Sequence, residues 1–352
     1  MATLPQMAAT KEQQEAANPA RVLVESVTNW IRVYSDGSVD RLCPPEAAPF
    51  MEIIPPYEEP RDGVTVQDVA TDHGVDVRLY LTAPEEEPRT TLARRRRGPV
   101  LLHFHGGAFC VSHAAWSLYH HFYARLAVEL DVAGIVSVVL PLTPEHRLPA
   151  AIDAGQAALL WLRDVASGGS SNVALDSAVE RLRSAADFSR AFLIGDSAGG
   201  VLVHNVAARA GEAGAEPLDT LLLAGGGFIG PEKSRSELEN PPTPLMTQET
   251  VDKFVMLELP VGITSRDHPY TSPAVAARAA EGARLPPMLL MVAEEDMLRD
   301  PRVERWIRWS AATARGIGHV FYLNWFAVES DPVAAARARE LVDAVKSFVD
   351  SH

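Results

Sequence analysis

Short, continuously apolar runs alternate along this chain with stretches whose apolar residues recur every three to four positions. Pro99 to Phe104, Ile135 to Val139, Ala191 to Ile194, Leu221 to Ala224 and Met288 to Ala293 read as buried strands. Helical periodicity falls over 116–129, 150–163, 198–210, 302–314 and 333–350, and His319 to Leu323 reads as a last strand. Strands apolar on both faces, set between amphipathic helices, predict an α/β fold with a mostly parallel sheet covered on both faces. Upstream, Val64-Thr65-Val66 and Val75 to Leu81 alternate like half-exposed antiparallel strands.

The ends and one interior stretch break this rhythm. Residues 1–20 are polar and read as a disordered tail. Trp30 to Tyr34 and Val39 to Leu42 flank Ser35-Asp36-Gly37-Ser38, a hairpin signal with Asp-Gly at the turn. Pro44 to Pro60 is too rich in proline for regular structure and is expected to drape over an apolar surface. Residues 225–272 hold proline-rich turns and one predicted helix, Gln248 to Leu259, too long for a plain connector. The expected organisation is one domain over 21–352, with an N-terminal flap (21–63) and an inserted cap (225–272).

Composition narrows the function. The 46 acidic against 32 basic residues give a formal net charge of −14, which disfavours nucleic acid and anionic membranes as partners. The one basic block, Arg94 to Arg97, follows Glu85-Glu86-Glu87 between prolines and reads as a solvated loop. Two cysteines, Cys43 and Cys110, are too few for a disulfide framework or a zinc site. No secretory signal and no run of 18 apolar residues is visible, so a cytoplasmic or nuclear protein is expected.

Two glycine motifs carry the chemistry. Gly195-Asp196-Ser197-Ala198-Gly199 follows a strand and opens a helix, the context in which a serine is held on a strained turn between small neighbours. Bare, the pattern also fits a phosphate loop or a plain turn. His105-Gly106-Gly107-Ala108-Phe109 follows another strand, and its glycines let backbone N–H groups approach a developing oxyanion. The expected donors are the amides of Gly106, Gly107 and Ala198. His103 and His105 read as packed or hydrogen-bonded residues, and the motif could also be only a tight strand exit.

A serine hydroxyl needs a base, and the base an orienting acid. In the chain order serine, acid, histidine, the candidates after Ser197 are His204, His268 and His319. His204 falls inside the following helix and His268 in the cap, whereas His319 follows a flexible Gly316-Ile317-Gly318 approach. Asp296 has room to turn back after the strand ending at Ala293, with Glu295 and Asp300 as alternatives and Glu294 too close to the strand.

With these pieces placed, the chain resembles the plant carboxylesterases of the hormone-sensitive-lipase-like α/β-hydrolase group, which also holds the gibberellin receptors. The likeness rests on His105-Gly106-Gly107, Pro144 to Ala150, Gly195 to Gly199, Asp296 to Asp300 and Gly318 to Phe321. It implies an α/β-hydrolase fold, a Ser197–His319–Asp296 triad and an N-terminal segment over the pocket. Ile31 to Gly37, Leu140 to Arg147 and Arg266 to Tyr270 look like the branch with strigolactone-hydrolysing enzymes.

The resemblance implies a serine carboxylesterase acting on a small ester or lactone, with no metal or cofactor. It leaves two alternatives: a receptor that binds without turnover, or a dehydratase using the same pocket. Leu140-Pro141 replaces the relatives' Tyr-Arg pair. Ala224-Gly225-Gly226-Gly227-Phe228 replaces a segment that begins with His-Pro and is longer. Phe109, Trp116, Tyr119, Phe228 and Met256 are candidate pocket residues, although aromatic residues at helical spacing also serve as plain core.

Overall fold

The computed structural model describes residues 21–83, 97–168, 176–212, 222–243, 245–272, 285–300 and 309–352. The predicted tail and nearly all of the Arg94 to Arg97 block lie outside these residues. A nine-stranded sheet forms the centre. Its antiparallel side is β4 (Tyr57–Arg61), β5 (Val64–Ala70) and β6 (Asp76–Thr82). β6 meets β8 (Gly134–Val138) antiparallel, and from there the sheet is parallel through β7 (Gly98–Phe104) and β9 (Ala186–Ser197). It ends with β10 (Leu222–Gly226), β11 (Met288–Ala293) and β12 (Trp309–Ala314).

Helices pack in two groups. α1 (Ser117–Glu129) lies with α7 (Trp325–Ser330) and the C-terminal α8 (Pro332–Ser351), while α2 (Ala150–Ser167) packs with both α3 (Ser177–Ala185) and α4 (Ala198–Glu212). α2 buries Ile152, Leu159, Trp161 and Leu162 along one stripe, the spacing that marked it in the sequence. The mostly parallel sheet clothed by helices is therefore as expected.

Three expectations are corrected. Trp309–Ala314 is a strand, paired in parallel with β11 from Met288↔Trp309 to Ala293↔Ala314, and the rest of the predicted 302–314 helix lies outside the described residues. Backbone pairing at the sheet edge outweighs the helix preference of the alanines there. His319 to Leu323 is not a strand. Val320 turns left-handed (φ 43°) and Phe321–Leu323 form a short 3₁₀ turn. Finally, the proline-rich 44–60 segment is not wholly irregular, because Tyr57–Arg61 forms the outermost strand, where Pro60 is tolerated.

Ahead of the central sheet, β1 (Leu23–Val27), β2 (Ile31–Tyr34) and β3 (Val39–Arg41) form a small antiparallel sheet, with Gly37 (φ 82°) in the predicted hairpin turn. Val27 and Ile31 pack with Cys110 and Val111, and with Phe254 and Leu257 of α6 (Gln248–Glu258). Three segments distant in sequence thus share one apolar cluster. The stretch after Pro44 does drape, with Ser117 Oγ donating to Pro49 O (2.7 Å) and Ile54 N–H to Ala115 O (2.9 Å). Between Gly227 and Ser272 the described residues hold α5 (Arg235–Glu239) and α6 and add no strand to either sheet.

Candidate active site

Ser197 ends β9 with a left-handed backbone (φ 50°), an arrangement that costs a non-glycine residue about 1–3 kcal/mol. Its neighbours hold it there. A Cβ on Gly195 would stand 2.4 Å from the Gly199 carbonyl carbon, and one on Gly199 would stand 2.0 Å from Phe104 O. Both motif glycines are therefore required by close backbone approach. Gly227 closes the third side: its N–H donates to Ser197 O (3.0 Å), and a Cβ would lie 3.0 Å from Ser197 C. The glycine run that departs from the resembling sequences thus packs directly against the serine bend.

His319 and Asp296 meet that serine. His319 Nε2 accepts from Ser197 Oγ (2.9 Å), and Nδ1–H donates to Asp296 Oδ2 (2.6 Å), a tautomer fixed by these partners. Burial opposes charge on the imidazole. The field and hydrogen bond of Asp296 outweigh it and hold the ring above its ordinary value. Asp296 is 2 % exposed, and its Oδ1 accepts from Leu298 N–H (2.8 Å). Asn240 Nδ2 anchors its main-chain carbonyl (2.8 Å).

The competing acids and histidines sit elsewhere. Asp300 accepts from Ser236 N–H (2.8 Å), Glu294 accepts from Gly316 N–H (2.9 Å), and Glu295 is exposed. His204 is buried in α4 beside Phe228, and His268 lies against Tyr270. Neither is hydrogen-bonded to Ser197.

The glycine loop after β7 has a split function. Gly106 N–H donates to Asp196 Oδ2 (3.1 Å), so that amide is engaged inside the protein rather than open to an oxyanion. The N–H groups of Gly107 and Ala198 have no acceptor among the described hydrogen bonds. Asp196, the variable residue of the serine motif, also accepts from His103 Nε2 (3.3 Å) and Tyr119 OH (3.4 Å). Sequence reasoning missed this buried carboxylate, whose only signal was an acid placed one residue before the serine.

His103 and His105 are structural, as expected. Burial lowers the pKa of both, that of His105 to about 4. His105 Nδ1–H donates to Gly106 O (3.0 Å), leaving Nε2 to accept from Leu140 N–H (3.5 Å). Leu140 itself is buried.

The candidate pocket residues do not form one wall. Phe109, Tyr119 and Phe228 are buried in the main core, where Tyr119 OH also accepts from Ser112 Oγ (3.0 Å). Tyr119, a candidate pocket residue, is buried with its hydroxyl turned to Asp196 Oδ2. Trp116 is half-buried against the core, and Met256 against the cluster holding Ile229, Val255 and Met297. Cys110 and Cys43 are free thiols, and burial pushes that of Cys110 far up. Among the described residues no helix is long and apolar enough to cross a membrane.

Comparison with known proteins agrees with this geometry. A family model described as alpha/beta hydrolase fold matches residues 101–319. Probable carboxylesterase 6 of Arabidopsis thaliana is 32% identical over 313 residues, covering 86% of this chain and 85% of its own length. Gibberellin receptor GID1B of the same plant is 32% identical over 284 residues, covering 75% and 72%. Among solved structures, an esterase from Pyrobaculum calidifontis superposes with a TM-score of 0.64 at 24% identity, covering 83% and 86%. The chain belongs to the alpha/beta hydrolase family, in its group of plant carboxylesterases and gibberellin receptors.

Proposed function

We propose that this chain is a serine carboxylesterase that cleaves small esters or lactones through an acyl-enzyme. The observation that carries the reading is the unbroken hydrogen-bonded line from Asp296 through His319 to Ser197, at 2.6 and 2.9 Å. Ser197 Oγ attacks the carbonyl carbon as His319 Nε2 takes its proton, and Asp296 stabilises the imidazolium. The amides of Gly107 and Ala198, joined by that of Ala108 in the same turn, receive the oxyanion. His319 then protonates the leaving alcohol and activates the water that frees the acid.

A receptor that binds without turnover has no need of this line, and its intact base favours the esterase over the receptor function of the gibberellin-receptor relatives. Trp116 and Met256, both half-buried, are candidate apolar contacts for a substrate. A strigolactone, whose butenolide offers an ester-type carbonyl, is the lactone to assay beside simple esters. Hydrolysis of p-nitrophenyl acetate or butyrate by the full chain, lost in Ser197→Ala, supports the reading. Unchanged turnover in that variant removes it, and a product lighter than substrate by one water would indicate a dehydratase.

A further inference from the structure

The turn that carries Gly107 and Ala108 is strained. Ala108 (φ 50°) and Phe109 (φ 53°) are consecutive non-glycine residues in the left-handed region, after Gly107 at φ 92°. Each is strained and persists only where the surroundings fix it. The turn closes locally, with Cys110 N–H and Val111 N–H both donating to Gly107 O (3.0 Å). Thr143 N–H donates to Phe109 O (2.8 Å), and Cys110 Sγ is 2.8 Å from Thr143 Oγ1.

One side chain from the N-terminal sheet ties these two segments together. Arg41, the last residue of β3, donates from Nε to Cys110 O (2.7 Å) and from Nη2 to Thr143 O (3.0 Å). The same guanidinium grips both carboxylate oxygens of Glu145, at 2.8 and 2.7 Å. Only a planar guanidinium supplies enough donors in fixed directions to meet two carbonyls and a carboxylate at once. As an ordinary surface ion pair it would add little to stability. Its two carbonyl partners set it apart: Cys110 ends the strained turn, and Thr143 is the residue whose N–H holds Phe109 O.

Resting on the esterase reading above, we propose that Arg41 is a positioning residue: from the N-terminal sheet it holds the Gly107–Cys110 turn in the shape that aims its amides at the oxyanion, and Glu145 orients the guanidinium. Arg41 acts through Cys110 and Thr143 and does not touch the substrate. The small sheet thereby takes part in transition-state stabilisation.

The test uses the full chain, p-nitrophenyl butyrate and an alkyl boronic acid that forms a tetrahedral adduct on the serine. Displacing a catalytic group by about 1 Å costs on the order of a hundredfold in rate. Arg41→Ala is therefore expected to lower kcat by about that factor, with KM within about threefold of wild type. Boronate affinity should fall in parallel while the melting temperature stays close to wild type. Arg41→Lys, which cannot span all three acceptors, should fall between the two, and millimolar guanidinium should restore part of the kcat of Arg41→Ala.

Glu145→Gln keeps the carbonyl contacts and should show a smaller loss of kcat, so the proposal stays testable if Arg41→Ala folds poorly. Wild-type kcat and boronate affinity in Arg41→Ala overturn the proposal alone, as does a kcat loss that follows the unfolded fraction. A wild-type chain that hydrolyses no ester overturns the esterase reading itself.

Discussion

Two sharp bends, one at Ser197 and one at Ala108 and Phe109, are held by different means. The bend at Ser197 is fixed by backbone packing: Gly195 and Gly199 lie within one short stretch, and Phe104 O and Gly227 press on it from neighbouring strands. The bend at Ala108 and Phe109 is fixed by polar contacts from far along the chain, Arg41 on one side and Thr143 on the other. Strain at the serine is thus a property of the central sheet, while the proposed oxyanion turn is tied through Arg41 to the N-terminal sheet. A side-chain substitution can loosen the second without disturbing the first.

The largest expected effect comes from the first bend. Ser197→Ala should reduce kcat by about 10⁴-fold or more with the fold intact. Ser197→Gly, equally inactive, should melt higher than Ser197→Ala because it relieves the left-handed strain, which thermal denaturation can measure. Equal melting temperatures would mean that the serine bend stores no strain.

Gly107→Ala addresses the second bend. Its Cβ would stand 1.8 Å from Val111 O at φ 92°, so the turn must open, and kcat should fall about 10²–10³-fold. Gly199→Ala, whose Cβ meets Phe104 O at 2.0 Å, should instead lower the melting temperature and activity together. A Gly107→Ala variant that loses stability as severely would erase the distinction between the bends.

The pH profile is a milder probe. In the proposed mechanism His319 works as a neutral base, and the net effect of its surroundings is to raise its pKa above the usual value of about 6.5. Activity is therefore full above that raised value and lost as pH falls through it, so the acid limb of kcat/KM should have its midpoint above 6.5. A midpoint well below 6.5 would exclude His319 as the base.

The smallest effect concerns the α6 side of the site. Glu258, 4 % exposed, has no hydrogen bond or ion pair from its carboxyl among the described residues, and burial pushes it up to about 8. The folded protein keeps a proton there that the unfolded chain releases near pH 4.5, so stability declines from about pH 4.5 to 8. Glu258→Gln should remove that decline and raise the melting temperature at pH 8.5 by roughly 5 °C. A melting temperature unchanged at that pH would place Glu258 in contact with solvent or a cation.

What the sequence made legible follows from the same contrast. The Ser197 bend was readable because the two glycines it demands, Gly195 and Gly199, lie at fixed offsets within five residues, although Phe104 and Gly227 also press on it. Asp296 could be favoured over its neighbours by spacing alone, and the structure separates them by partner: Asp300 binds Ser236 N–H, and Asp296 binds His319. Arg41 was not legible, since 69 residues separate it from Cys110 and no local pattern marks a lone arginine as a clamp. Asp196 was in plain view, but its role depends on Gly106, His103 and Tyr119 converging on it. The region from Trp309 to Leu323 misled for another reason. Its small alanines fit a helix or a strand, and pairing with β11 decides between them.

One hydroxyl, Ser197 Oγ, is the proposed nucleophile. Titrating the full chain with diethyl p-nitrophenyl phosphate and mapping the adduct by peptide mass spectrometry tests it directly. The expected result is one diethylphosphoryl group per chain on Ser197, with esterase activity falling in proportion to its occupancy and no labelling of Ser197→Ala. An adduct on another residue, or full activity in protein labelled at Ser197, would contradict it.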